Sequence, residues 1–420
     1  MSQIIFHIDV NSAFLSWSAI KLLKNGYEQD IRTIPSIVGG DVQSRHGIVV
    51  AKSIPAKAYG IYTSMPVVSA LKKCPNLLVI PPEHSYYQEM SYKLMDLLRE
   101  FTPAIEQASV DECYMDYSTI SNSYSSPEEA AHIIKDRVKK ELGFTVNIGI
   151  SDVKVLAKMA SDFQKPDRVH TLYRREIKEK MWPLPVEDLF LAGKSSVAVL
   201  HKLGIKTIGD LANTPKKILV SHLKSQGARL HEYAHGIDDS TVNVESEDLK
   251  GVGNSTTLPS DYDNIDEINK VFLYLSDKVS ARLRYYGWSA KSLAIEIKFS
   301  DFSRITRQMI LDKPTDSSLE IYEYSKQLFK QNWNGNPVRL LGIRTTKLVE
   351  DGEPVQLSLF DDNLSNGFGE DGKSEDKTKH KVMPSHDKLK KLDRAIDSIK
   401  EKYGDDKIKR AVFMEDKDEE

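Results

Sequence analysis

Only two cysteines, Cys74 and Cys113, occur among the 420 residues, and they stand far apart. Neither a disulfide framework nor a thiolate zinc site is suggested by so few. No apolar run approaches membrane-spanning length. The start of the chain shows neither the basic segment nor the small-residue cleavage site of a secretion signal. A cytoplasmic protein with no membrane partner is the expectation. An excess of charge of one sign is also missing, since the net charge is −3. What is present is ordinary for a soluble protein: 40% hydrophobic and 28% charged residues, in a chain long enough for two to four domains.

The charge is unevenly spread. Residues 361–420 carry 14 Lys and Arg against 17 Asp and Glu. Residues 169–235 carry 11 basic and 6 acidic side chains, and residues 282–310 carry 6 and 2. Local excesses of this kind suit a polyanionic partner. Two solvated faces would give the same counts, so other motifs must decide.

The decisive stretch is Ser109-Val110-Asp111-Glu112-Cys113-Tyr114-Met115-Asp116, two adjacent acids in a run otherwise suited to a strand. Near the N-terminus, Gln3-Ile4-Ile5-Phe6-His7-Ile8-Asp9 is a second apolar strand ending on an acid, with Asn11-Ser12 as a helix cap. Two core strands ending in acids can bring Asp9 and Asp111 side by side at one sheet edge. Close carboxylates repel, and a pair of Mg²⁺ ions relieves the repulsion while clamping the oxygens of a phosphoryl transfer. Neighbouring strand residues point to opposite faces, so Asp111 and Glu112 converge only across a turn or bulge.

In chain order, helices are expected over 13–24, 86–101 and 127–142, and at 154–161 after a core strand at 146–150. A Gly- and Pro-rich insertion fills 31–77. The order β, α, insertion, α, β-hairpin, α, β, α fits a ferredoxin-like α+β unit. Residues 185–235 suit a helix-hairpin-helix. Residues 246–350 suit a second α+β unit, with strands near 292–300, 303–311 and 338–348 and helices near 264–286 and 315–331. Arg304 and Arg307 should face opposite ways along their strand. From 350 onward the composition signals a flexible tail, with a helix near 386–403.

Phe6-His-Ile-Asp9-Val-Asn-Ser-Ala-Phe14, Ser109-Val-Asp-Glu112 and Gly149-Ile-Ser…Leu156-Ala-Lys158-Met-Ala-Ser161-Asp162…Lys165-Pro166 resemble the Y-family of translesion DNA polymerases. The resemblance spans residues 3 to about 350 and is nearest the bacterial DNA polymerase IV and UmuC-like branch. It implies an α+β multidomain fold. A ferredoxin-like palm (1–30 and 78–168) would carry fingers at 31–77 and a helix-hairpin-helix thumb at 169–235. A linker at 236–245 would lead to a little finger at 246–350 and a tail at 351–420.

The resemblance also implies residue roles. Asp9, Asp111, Glu112 and the carbonyl of Val10 would hold two Mg²⁺ ions for nucleotidyl transfer to a primer 3′-hydroxyl. Phe14 would be a steric gate against ribonucleotides, and Lys158 would contact the triphosphate. Ile54 and Lys57 stand where the family usually has Tyr and Arg, so weaker triphosphate binding is expected. Gln356-Leu357-Ser358-Leu359-Phe360 resembles the bacterial sliding-clamp binding peptide. The implied partners of a monomeric enzyme are primer-template DNA, deoxynucleoside triphosphates and the clamp. A catalytically silent scaffold binding DNA and clamp is the rival reading, and a nucleotide cyclase the second.

Overall fold

The centre of the chain is a strand buried on both faces. In the computed structural model, which describes residues 3–41, 47–245, 249–350, 386–404, 407–408 and 410–413, two units separate at 247/248. The first unit opens with β1 (Ile5–Val10) and α1 (Ala13–Lys24). A small subdomain follows, made of β2 (Ser36–Gly39), β3 (Val49–Lys52), α2 (Ile54–Ala58), α3 (Val67–Lys73) and β4 (Leu78–Ile80). The chain then returns through α4 (His84–Arg99), β5 (Ile105–Gln107), β6 (Glu112–Asp116), α5 (Pro127–Leu142), β7 (Val146–Ser151), α6 (Lys154–Asp162) and β8 (Val169–Thr171).

The main sheet runs β5-β6-β1-β7-β8. Its first four strands are antiparallel throughout, the ferredoxin-like order, and β8 adds in parallel to β7. Alternation along β1 splits its side chains between two layers. Phe6, Ile8 and Val10 enter the large core with Trp17, Tyr87, Leu94, Ile134 and Phe144. Ile5, His7 and Asp9 face α6 instead.

Helix ends follow their caps. Ser126 Oγ accepts the Glu129 N–H, Pro127 occupies the first turn, and Gly143 closes α5 at φ +80°. At α1 the expected cap differs. Ser12 precedes the helix in the left-handed region (φ 46°), and its side chain makes no capping bond. Helix α4 begins two residues before the expected 86.

The small subdomain pairs β2 antiparallel to β3 and parallel to β4, around a core of Ile37, Val49, Ala56, Ile61, Met65 and Val67. Its sheet therefore extends past residue 77 into 78–80. Likewise, residues 169–171 belong to the main sheet. Each of these strands has three residues, too few to show a period.

Helices α7 (Lys194–Lys202), α8 (Ile208–Asn213) and α9 (Lys216–Ala234, broken at Lys224) complete the first unit. Gly204 turns α7 into α8 at φ +79°. Their apolar faces pack with Val155, Leu156 and Met159, so α6 is covered on both sides. The segment expected as a linker is pinned to this unit. Asp238 Oδ2 accepts Val155 N–H at 3.1 Å, and Asn243 N–H donates to Glu106 at 2.6 Å.

The second unit is an antiparallel sheet built from β9 (Gly251–Tyr262), β10 (Trp288–Phe299), β11 (Arg304–Thr315) and β12 (Val338–Glu350), ordered β11-β10-β12-β9. Helices α10 (Ile265–Tyr285) and α11 (Ser318–Asn332) share its core. Strand β9 was not expected, because Gly251, Gly253, Asn254 and Pro259 disguise it. At the sheet edge, Pro259 falls at a register irregularity, where no ladder bond is lost. Arg304 reaches Glu296, whereas Arg307 reaches Asn332 on α11, so the two do diverge as expected.

The described part of the C-terminal segment packs on the second unit. Helix α12 (His386–Tyr403) buries Leu389, and Asp393 accepts the Ser318 N–H at 3.0 Å. Arg284 pairs with Asp397, and Arg410 with Asp277. The Gln356–Phe360 peptide lies outside the described residues. No helix among the described residues is long and apolar enough to cross a membrane.

Candidate active site

Register does the first part of the work. Asp9 on β1 lies directly opposite Glu112 on β6. The hairpin before β6 turns at Ala108–Asp111, and Val10 N–H donates to the Asp111 carbonyl at 3.0 Å. Asp111 thus sits in the turn rather than in the strand, which is the break needed for adjacent acids to leave strict alternation. Ser109 shapes that turn. Its Oγ accepts the N–H groups of Asp111 (3.2 Å) and Glu112 (3.0 Å) and donates to Asp111 Oδ1 at 2.6 Å.

Close packing of α6 does the rest. A Cβ on Gly149 would meet Ala157 O at 2.0 Å and Ser161 N at 2.4 Å, so only glycine lets α6 lie this near β7. The two α6 lysines then reach the sheet. Lys154 Nζ meets Glu106 at 2.7 Å, and Lys158 Nζ lies 2.8 Å from Glu112 Oε1 and 3.3 Å from Asp9 Oδ2. Lys165 Nζ adds a 2.8 Å contact to Asp9 Oδ2 and another to Asp162.

The electrostatics follow from burial and these pairs. Burial raises the Asp9 carboxyl against the pull of Lys165 and Lys158. Burial also pushes on Glu112, but His7 and Lys158 outweigh it and hold the carboxyl well below its usual range. For Lys158, burial is outweighed by Glu112, Asp9 and Asp162, and the ammonium stays charged far above neutral pH.

The sequence reading put Asp9 beside Asp111. In the structure Asp9 faces Glu112, joined to it through Lys158, and the Asp111 carboxylate is turned onto Ser109. Mutual repulsion of the acids is neutralised by ammonium groups. Among the described residues no three or more Asp, Glu, His or Cys side chains converge as a preformed metal cluster. The donors are nonetheless hard oxygens around a point that already attracts two cationic groups, which suits Mg²⁺ chemistry. Val10 enters through its backbone, beside Asp111.

Phe14 is half-buried on α1, stacked on Tyr87. Lys57 is exposed in the last turn of α2, and Ile54, at the first turn, is 67% exposed. Lys158 points into the acids rather than outward. The sequence reading missed Lys165, His7 and Ser109 as parts of the site. A lysine three residues after Asp162, and a histidine in an otherwise apolar core strand, were the available signals.

A five-stranded sheet with acids at its hairpin, followed by an α-helical segment and a separate α+β unit, is the Y-family polymerase architecture. A solved Y-family DNA polymerase chimera superposes with a TM-score of 0.73 at 19% identity, covering 83% of this chain and 100% of that one. The impB/mucB/samB family model matches residues 8–162, and the model of that family's C-terminal domain matches residues 249–359. DNA polymerase IV of Clostridium acetobutylicum is 44% identical over 415 residues, 99% of each chain. DNA polymerase IV 1 of Bacillus subtilis is 38% identical over 98% of this chain and 94% of its own. The chain belongs to the impB/mucB/samB family.

Proposed function

We propose that this protein is a template-directed translesion DNA polymerase, transferring a deoxynucleotide from its triphosphate to a primer 3′-hydroxyl. The observation that carries the reading is the pairing of Asp9 with Glu112, with Asp111 in the adjoining turn, in a chain so similar to DNA polymerase IV relatives. Asp9, Asp111, Glu112 and the Val10 carbonyl hold the divalent cations, two Mg²⁺ ions in this reading. Bound there, such ions would supply acidification of the attacking hydroxyl and charge balance for the leaving pyrophosphate.

The chain's own residues divide the remaining work. Lys158, whose ammonium now neutralises Asp9 and Glu112, serves the triphosphate. Lys57 adds a point charge from the fingers without the fork of an arginine. Phe14 lies under the sugar and rejects a 2′-hydroxyl by overlap. The first unit supplies palm, fingers and thumb, and residues 249–350 the little finger, whose cations track the DNA backbone without reading bases. Gln356, Leu357, Leu359 and Phe360 dock on the sliding clamp, and the enzyme works as a cytoplasmic monomer. A silent scaffold would have no use for three acids gathered where β1 meets the β5–β6 hairpin.

Purified protein given primer-template DNA, Mg²⁺ and the four deoxynucleoside triphosphates should extend the primer as directed by the template. Absence of extension under all divalent ions tried would favour the scaffold.

A further inference from the structure

The end of α9 reads His231-Glu232-Tyr233-Ala234-His235, two histidines one helical turn apart. That spacing puts both imidazoles on one face of the helix. The structure brings the rings together, with centroids 4.5 Å and planes 41° apart. An ion held tetrahedrally about 2.0–2.1 Å from one nitrogen of each ring would set the centroids roughly 5 Å apart. A small side-chain rotation closes that difference. Both residues are partly exposed, so an ion has a path in from solvent.

The turn is fixed before any ion arrives. His235 Nδ1 lies 2.8 Å from the His231 carbonyl. A carbonyl only accepts, so Nδ1 is the donor and Nε2 is the nitrogen left for an ion, as where a carbonyl orients a metal-bound imidazole. Trp182 packs edge-on against the same ring at 6.3 Å between centroids, and its Nε1–H donates to the Ala234 carbonyl at 2.9 Å. The pattern H-E-x-x-H also occurs in zinc hydrolases, where the acid serves as base. Here Glu232 is turned to Lys216, 2.7 Å away, and among the described residues no third His, Cys, Asp or Glu completes a metal cluster. The chemistry that remains is binding.

We propose that His231 and His235 form a bidentate site for Zn²⁺ or another borderline divalent ion, which staples the last turn of α9. Imidazole nitrogen selects such ions over Mg²⁺, which seeks carboxylate oxygen, so this site and the acids around Asp9 take different metals. The stapled turn leads straight into Gly236 (φ 66°) and on to Asp238, whose carboxylate accepts the Val155 N–H at the start of α6. The proposal is independent of the polymerase reading.

Full-length protein, stripped of metal by a chelator, is titrated with Zn²⁺ in excess Mg²⁺ and followed by calorimetry and by ¹⁵N NMR of labelled histidine. In the wild type the His231 and His235 ring signals should move together as a one-to-one site fills. Zn²⁺ binding that leaves both signals in place overturns the proposal. His231→Ala and His235→Ala should each weaken Zn²⁺ affinity at least roughly tenfold, since each breaks the chelate. The double variant should fall little further. Affinity unchanged in either single variant overturns the site. Glu232→Gln should bind as the wild type does, and a loss there contradicts a site made of two imidazoles. Zn²⁺ should also raise the melting temperature of the wild type, and an equal rise in the double variant overturns the staple.

Discussion

Phe14 lies stacked on Tyr87, with ring centroids 4.7 Å and planes 18° apart. Tyr87 is itself held by a 2.8 Å bond between its hydroxyl and Ser18 Oγ, and Trp17 packs against both rings. The Phe14 ring is therefore fixed by the palm core rather than free to swing, as a gate that discriminates by overlap requires. Phe14→Ala should admit ribonucleotides, reducing sugar discrimination roughly 10–200-fold. Insertion kinetics with matched deoxy- and ribonucleotides check this, and an unchanged preference would place the gate elsewhere.

Ile54 begins α2 behind Ser53, whose Oγ accepts the Ala56 N–H, and its side chain is largely exposed. It can donate nothing to a phosphate. Ile54→Tyr supplies a hydroxyl at the same helix start, and a hydrogen bond to a charged group is worth roughly 1.5–3 kcal/mol. Nucleotide KM should fall by about tenfold or more with kcat little changed. No improvement in KM contradicts the assignment of this position to the triphosphate.

Deleting Gln356–Phe360 should leave distributive synthesis intact and erase stimulation by the sliding clamp. The peptide is far in sequence from Asp9, Asp111 and Glu112, so the two activities should separate cleanly. Retained stimulation would assign clamp binding to another segment.

Asp167 ties the loop after α6 to α5. Its carboxylate meets Lys135 at 2.8 Å and Lys139 at 2.9 Å, and its N–H donates to Asn11 Oδ1. Burial would raise this carboxyl, but the two lysines outweigh it and hold it below its ordinary value. An acid depressed in the folded state contributes stability above its unfolded pKa of about 3.9 and loses it as pH falls through the folded value. Asparagine tolerates the left-handed backbone here (φ 61°), so Asp167→Asn removes charge alone. The variant should be less stable at neutral pH by on the order of 1 kcal/mol, with the gap closing below about pH 4. Denaturant titrations across pH measure this, and a constant gap would refute the linkage.

How much was legible depended on whether the signal was local. Pro127–Leu142 and Ala13–Lys24 matched their expected bounds, because apolar period and end residues mark them within a few positions. Strand β9 did not show, since an edge strand tolerates Pro259 and glycines that a central one would not. The acids were readable as strand ends. Their closure by Lys158 and the bond between His7 and Ser161, 154 residues apart, were not, because only the tight packing of α6 on Gly149 brings those groups together. The direction of Lys158 was not legible, because it is set by the attraction of its ammonium to Asp9 and Glu112, which meet only in the fold.

The central claim is that three carboxylates on β1 and the β5–β6 turn carry nucleotidyl transfer, and Asp111→Ala tests it most directly. Ser109 Oγ holds the turn through backbone N–H groups that the substitution leaves in place. Primer extension with Mg²⁺ should fall at least roughly 10³-fold while DNA affinity stays near wild type. Extension close to the wild-type rate would contradict the account.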